Sequence, residues 1–176
     1  MRSRRGLLGT ALASLTILTS FLLVPSPAQA YGSLTVKWAR VDTDNCNRLS
    51  GNLPVTSFSN GCMLYDSADD TFFEKDAGGV AVKIELHDGS GLVAKVEFHP
   101  LGEKLYVYDT RNDSDTVYTW LRVGGHSYGP WSAPGTSAPV EHRVVDTSIA
   151  EGTYLLVDIY DDNGHSDYIT SKSGSA

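Results

Sequence analysis

The chain has 176 residues, a formal net charge of −7 and two cysteines. That length allows one domain with a sizeable core. The acidic balance repels a phosphate backbone, which argues against nucleic acid as a partner.

The N-terminus reads as a secretory signal. Met1-Arg2-Ser3-Arg4-Arg5 is a positive n-region, Leu7 to Val24 an apolar stretch, and Ala28-Gln29-Ala30 a small-x-small cleavage site. Arg4-Arg5 after Ser3 also suits twin-arginine export, so both the Sec and the twin-arginine routes stay open. Residues 1–30 are thus a signal peptide cleaved after Ala30, and 31–176 form a single secreted domain. Loss of the leader arginines makes the mature part more acidic still. It holds no second apolar span and no basic cluster, so no membrane association is expected after cleavage.

Cys46 and Cys62, in an exported chain, read as a disulfide. The bridge closes a loop worth roughly 3 kcal/mol by chain entropy. No ligand spacing for a metal accompanies them.

Beyond Tyr31 the chain alternates with period two. Leu34, Val36 and Trp38 share one face. Val80, Val82, Ile84 and Leu86 alternate with Ala81, Lys83, Glu85 and His87. Leu92, Ala94, Val96 and Phe98 alternate with Val93, Lys95, Glu97 and His99. Asp88-Gly89-Ser90-Gly91 between the last two runs is a hairpin turn. His87 and His99 are expected to face solvent. Further strands are expected over 104–110, 116–123, 140–146 and 153–161. The fold expected is all-β: an antiparallel β-sandwich of about seven to nine strands, jelly-roll or immunoglobulin-like, with a small closed barrel as the alternative. Lys172 to Ala176, rich in Ser and Gly, is expected to fray.

Gly125-His126-Ser127-Tyr128-Gly129 matches the G-x-S-x-G nucleophile elbow. That elbow is a strand, a sharp turn and then a helix. Pro130, Pro134 and Gly135 forbid a helix after Ser127, and no βαβ unit surrounds it. The order Ser127, Asp158, His165 is cheap in a chain rich in aspartate. The match is read as chance, and the protein as not an enzyme. The segment 124–139 is read instead as a long rigidified loop presenting His126, Tyr128 and Trp131, which makes it an insertion element in an inhibitor or toxin-like reading.

Residues 104–123 read as a hairpin with an aromatic face. Leu105, Val107, Val117, Thr119, Leu121 and Val123 form its apolar side. Tyr106, Tyr108, Tyr118 and Trp120, flanked by Lys104 and Arg122, form the other, with Tyr108 opposite Tyr118 and Tyr106 opposite Trp120. Tyr154, Leu156, Asp158 and Tyr160 share a face of a later strand. Flat rings stack on sugar faces, while Lys104, Arg122, Asp109 and Asp158 suit hydroxyls; Tyr, Trp and Arg also dominate protein hot spots. The candidate ligand-binding residues are Tyr106, Tyr108, Tyr118, Trp120, Arg122, Tyr128 and Trp131, and the candidate partner is an extracellular glycan or protein.

No cofactor is expected. Aspartates at 66, 69 and 70, at 109, 113 and 115, and at 158, 161, 162 and 167 leave calcium open. However, Asp161-Asp162-Asn163-Gly164 lacks the frame of a calcium loop, and Asp is a common turn residue. No carboxylate pair for glycoside hydrolysis can be assigned without distances.

Overall fold

The computed structural model describes residues 31–111, 113, 115–135 and 140–176. The expected signal peptide lies outside these residues. The domain is all-β and antiparallel, with no helix among the described residues. Among the described residues it has thirteen strands rather than the seven to nine expected, because long alternating runs are supplemented by short strands of three to five residues.

The centre is the hairpin of β6 (Val80–Asp88) and β7 (Gly91–His99). Its turn is the expected Asp88-Gly89-Ser90-Gly91. The Asp88 carboxylate accepts the Ser90 and Gly91 amides at 2.6 and 3.1 Å. Beside β6 runs β1 (Thr35–Asp42), and beside β1 the short β2 (Asn47–Gly51). Beyond β7 come β8 (Lys104–Asp109) and then β11 (Glu141–Asp146). The remaining strands of this large sheet are β9 (Tyr118–Val123), β10 (His126–Trp131), β12 (Tyr154–Tyr160) and β13 (Tyr168–Ser175), in the order β10-β9-β12-β13. Ser175 of β13 pairs with Val80 of β6 and joins the two groups. The ten-stranded sheet therefore curls over itself into a nearly closed barrel, with β10 and β11 at its open edges.

The core fills the interior. Val82, Ile84, Leu86, Val96, Phe98, Leu105 and Val107 come from one wall, and Leu121, Leu155, Val157 and Ile159 from the other. Each set is every second residue of its strand, so the apolar alternation of the sequence is the inner surface of the barrel.

A second, three-stranded sheet packs outside. It consists of β3 (Thr56–Phe58), β4 (Gly61–Leu64) and β5 (Thr71–Glu74). Leu64 and Phe73 bury against Ala39, Val41 and Ala81, on the face of β1 and β6 that points away from the barrel interior. The Cys46–Cys62 disulfide ties the turn after β1 to β4, with Cα atoms 5.2 Å apart.

Four expectations fail for identifiable reasons. The hairpin over 104–123 does not form: β8 pairs with β7 and β11, and β9 with β10 and β12. After β8 the chain passes instead from one wall to the other. Thr110 fixes the exit by bonding Val93 and Leu92 of β7, and Val117 plugs the core. Within the segment read as a loop over 124–139, residues 126–131 are a strand, and residues 136–139 lie outside the described residues. Gly124 and Gly125 both take positive φ, a two-residue hairpin turn into β10. Gly129 is pressed against β9, where a Cβ would lie 2.8 Å from the Thr119 carbonyl oxygen. The tail does not fray: residues 172–175 pair with β12, and Ala176 is buried, with its backbone bonded to Gly152 and Thr153. His87 and His99 do not stand in solvent, since the small sheet covers the face of β6 and β7 from which they project.

A Cys46→Ala/Cys62→Ala double variant is expected to lose about 2–4 kcal/mol of unfolding free energy in denaturant titration.

Candidate functional site

The expected aromatic residues divide among three places. Tyr118, Trp120 and Arg122 lie on the outer face of β9, away from the core. Their cross-strand partners on β12 are Tyr160, Asp158 and Leu156. Arg122 reaches Asp158 with two hydrogen bonds of 3.0 Å, and Asp158 itself is buried. His165 stacks on Trp120 with ring centres 4.5 Å apart and meets Tyr160 edge-on at 4.2 Å; Tyr168 meets Tyr160 at 5.6 Å. The Trp120 indole N–H has no acceptor. Tyr168 is 55% exposed and Tyr154, on the same strand group, 60%. The result is a row of rings across three hydrogen-bonded strands, with a fixed Arg–Asp pair at its side.

Tyr106 and Tyr108 are elsewhere, on the face of β8 next to the small sheet. Tyr108 is buried, stacked on His142 at 5.1 Å and lying under the Lys95 ammonium at 4.3 Å. Tyr106 packs on His99 at 4.5 Å. Neither joins Tyr118 or Trp120, which answers the opposed-ring arrangement expected from the sequence. Tyr128 and Trp131 sit at the open seam of the barrel. With Leu121, Val123, Ile149 and Ala150 they line a cavity of about 510 Å³ whose rim carries Asp146 and Thr147.

Between β6–β7 and the small sheet lies a layer of buried charge. The two strands each carry Lys-x-Glu-x-His, at 83–87 and 95–99. Antiparallel register sets Lys83 beside Glu97 and Glu85 beside Lys95. Both lysine side chains are fully buried. Lys83 donates to Asp66 at 2.6 Å and to the Leu64 carbonyl at 3.1 Å. Lys95 donates to the same Asp66 oxygen at 2.9 Å, to the Asp70 carbonyl at 2.9 Å and to Asp69, and it lies 2.9 Å from Glu97. Thr71 donates to Glu97 at 2.5 Å. His87 and His99 close the two ends, each 2.8 Å from its own glutamate.

Burial disfavours ionisation of Asp66, but the hydrogen bonds from Lys83 and Lys95 outweigh it and hold the carboxyl well below the usual range. Burial likewise opposes the charge on Lys95, and Glu97, Asp69 and Asp66 overcome it, so the amine titrates above its ordinary value.

This layer also answers the question of calcium at 66–70. Carboxylate oxygens of Asp66, Asp69 and Glu97 come within 4.8 Å of one another, a spacing that suits a metal ion. The Lys95 ammonium bonds all of them, so a buried lysine already supplies the positive charge. In the second acidic turn Asp162 accepts the amides of Gly164, Ser166 and Asp167 and the Ser166 hydroxyl. These donors lower its pKa to about 2. Its oxygens build a turn.

Ser127 is exposed on β10, and the residues after it continue as strand; the Asp158 carboxylate is engaged by Arg122. Compared with known proteins, the chain matches no family model, no curated protein and no solved structure.

Alternation along 118–122 and 154–160 identifies the outward residues of β9 and β12, but not that these two strands are neighbours. His165 and Tyr168 escape that reading, because His165 sits in a turn at positive φ and Tyr168 opens a strand that has no apolar alternation of its own. The repeated Lys-x-Glu-x-His is legible in the sequence as a repeat, yet nothing local says that another sheet covers it.

Lys95→Ala is expected to cost about 3–5 kcal/mol, since it strands buried carboxylates, whereas Asp69→Asn, at a half-exposed partner, costs well under that. The sign with pH follows from Asp66. Its folded pKa is depressed, so its contribution is complete above the unfolded value near 4 and is lost as pH falls. Urea titrations at pH 7 and pH 3 check both statements.

Proposed function

We propose that the chain is an exported, non-catalytic binding protein that recognises an extracellular glycan or protein through the outer face of β9, β12 and β13. The observation that carries this reading is the ring row of Tyr118, Trp120, His165, Tyr160 and Tyr168 beside the Arg122–Asp158 pair. These rings lie outside the core, because the inner face of the same strands supplies the core residues. Aromatic rings gathered outside the core, with His165 and Tyr168 exposed, support a binding role for this face. Planar rings offer stacking to sugar faces and desolvated area to a protein, while Asp158 holds the Arg122 guanidinium in a fixed orientation for polar contacts. The signal-like N-terminus, the disulfide and the acidic surface support an extracellular setting.

The test compares wild type with Trp120→Ala/Tyr168→Ala on insoluble cellulose, chitin and cell-wall material, with surface cross-linking to culture proteins as a second arm. Retention of the wild type in one arm, reduced about tenfold or more in a variant of unchanged melting temperature, is expected. Equal retention of the variant, or no capture of wild type in either arm, contradicts the reading.

A further inference from the structure

Tyr31 stands beside an acidic cluster. The Tyr31 backbone nitrogen donates to Asp161 Oδ2 at 2.7 Å, and the Tyr31 ring packs against the barrel core. Asp161 Oδ1, the other oxygen of that carboxylate, is buried with no hydrogen-bond partner among the described residues. So are Asp109 Oδ2 and the Tyr31 hydroxyl nearby, and Asp109 is only 2% exposed. A peptide nitrogen offers a single proton here, where several acceptors lack donors.

The surroundings are crowded with carboxylates. Asp109, Asp113, Asp115 and Asp161 all lie close enough to Tyr31 to raise its phenol pKa further, beyond the effect of burial. Burial, joined by repulsion among these carboxylates and Glu141, pushes Asp109 up to about 6; burial with repulsion from Asp161, Asp113 and Asp109 does the same for Asp115. Arg111, next to the cluster, is committed to Asp88 through contacts of 2.5 and 2.8 Å. Asp162 is spent on its own turn, and Asp167 offers its backbone carbonyl to the Asp161 amide at 2.8 Å.

The sequence independently places a cleavage site at the Ala30–Tyr31 bond. Cleavage there turns the Tyr31 amide into an ammonium group with three donors and a full charge. We propose that this α-ammonium is an integral part of the mature fold, binding the Asp161 carboxylate at the end of the barrel that Tyr31 covers. Removal of the leader is then a maturation step: hydrolysis of the Ala30–Tyr31 peptide bond consumes one water, releases the leader with a new carboxylate, and leaves the ammonium beside Asp161. The precursor folds without this ion pair and is the less stable form.

The proposal rests on export with cleavage after Ala30, so its test separates the two. A chain beginning at Tyr31, released from a fusion by a protease that leaves no extra residue, is compared with the same chain carrying a Gly-Ser extension. Both are made also as Asp161→Asn. The free-amine chain is expected to melt about 3–8 °C above the extended one, with the gap collapsing in Asp161→Asn. Equal melting of the free and extended chains overturns the proposal, as does a gap that Asp161→Asn leaves intact. If Asp161→Asn fails to fold, N-acetylation of the Tyr31 chain takes its place: a loss like that caused by the extension is expected, and no loss overturns the proposal. The mass of the protein recovered from culture medium reports the processing site. A start other than Tyr31 refutes the maturation step, and a chain retained with its leader refutes export itself.

Discussion

Two lysines with no exposed side-chain surface hold this molecule's layers together. Lys83 and Lys95 project from adjacent strands of the large sheet and share one oxygen of Asp66, which belongs to the link between β4 and β5. Each also takes a backbone carbonyl of the covering segment, Leu64 and Asp70. The small sheet offers little apolar area of its own; Leu64, Phe73 and the disulfide are its main anchors apart from these charges. Desolvating two ammonium groups is costly, and only a full set of acceptors in good geometry offsets it. That requirement dictates the conformation of residues 64–71, where Asp66 caps the Ala68 and Asp69 amides and Asp70 caps Asp66.

The same layer shows what a sequence states and what it leaves out. Alternation along 80–87 and 92–99 separates two faces correctly, because side chains on a strand point to opposite sides whatever lies beyond them. It does not say what covers each face. Lys, Glu and His on one side suggest solvent by composition, and the covering segment is residues 56–74, which lie just before β6 but form strands of only three or four residues, too short to show an alternation of their own. The misread hairpin at 104–123 has a related origin. Arg111 to Asp115 has turn composition, but turn residues are equally suited to a crossover, and pairing is decided by which strands β8 and β9 meet after the barrel curls. The ring face survived in part because β9 and β12 are true neighbours, so that rings chosen by alternation on each came together. Tyr106 and Tyr108 obey the same alternation on a strand of the opposite wall, whose outer face is covered.

The two ends of the domain differ in kind. Around the seam near Trp131 and Ile149 the barrel is open and apolar, with Tyr128 half exposed at its lip. At the Tyr31 end it is closed and strongly acidic, with buried carboxylate oxygens still lacking donors. The outer ring face lies on the wall between these ends, on strands whose inner side chains are fixed in the core. A surface built this way is held by the core behind it, so its rings stand already ordered.

The central claim is that buried charge makes the small sheet one cooperative unit with the barrel. Native-state hydrogen exchange of the β4 and β5 amides against those of β6 and β7 tests it most directly. The account predicts that both groups exchange through the same global opening, with protection free energies within about 1 kcal/mol of each other. Exchange of β4 and β5 through a separate opening several kcal/mol below that of β6 and β7 would show the small sheet to be a loosely held flap, and would contradict the claim.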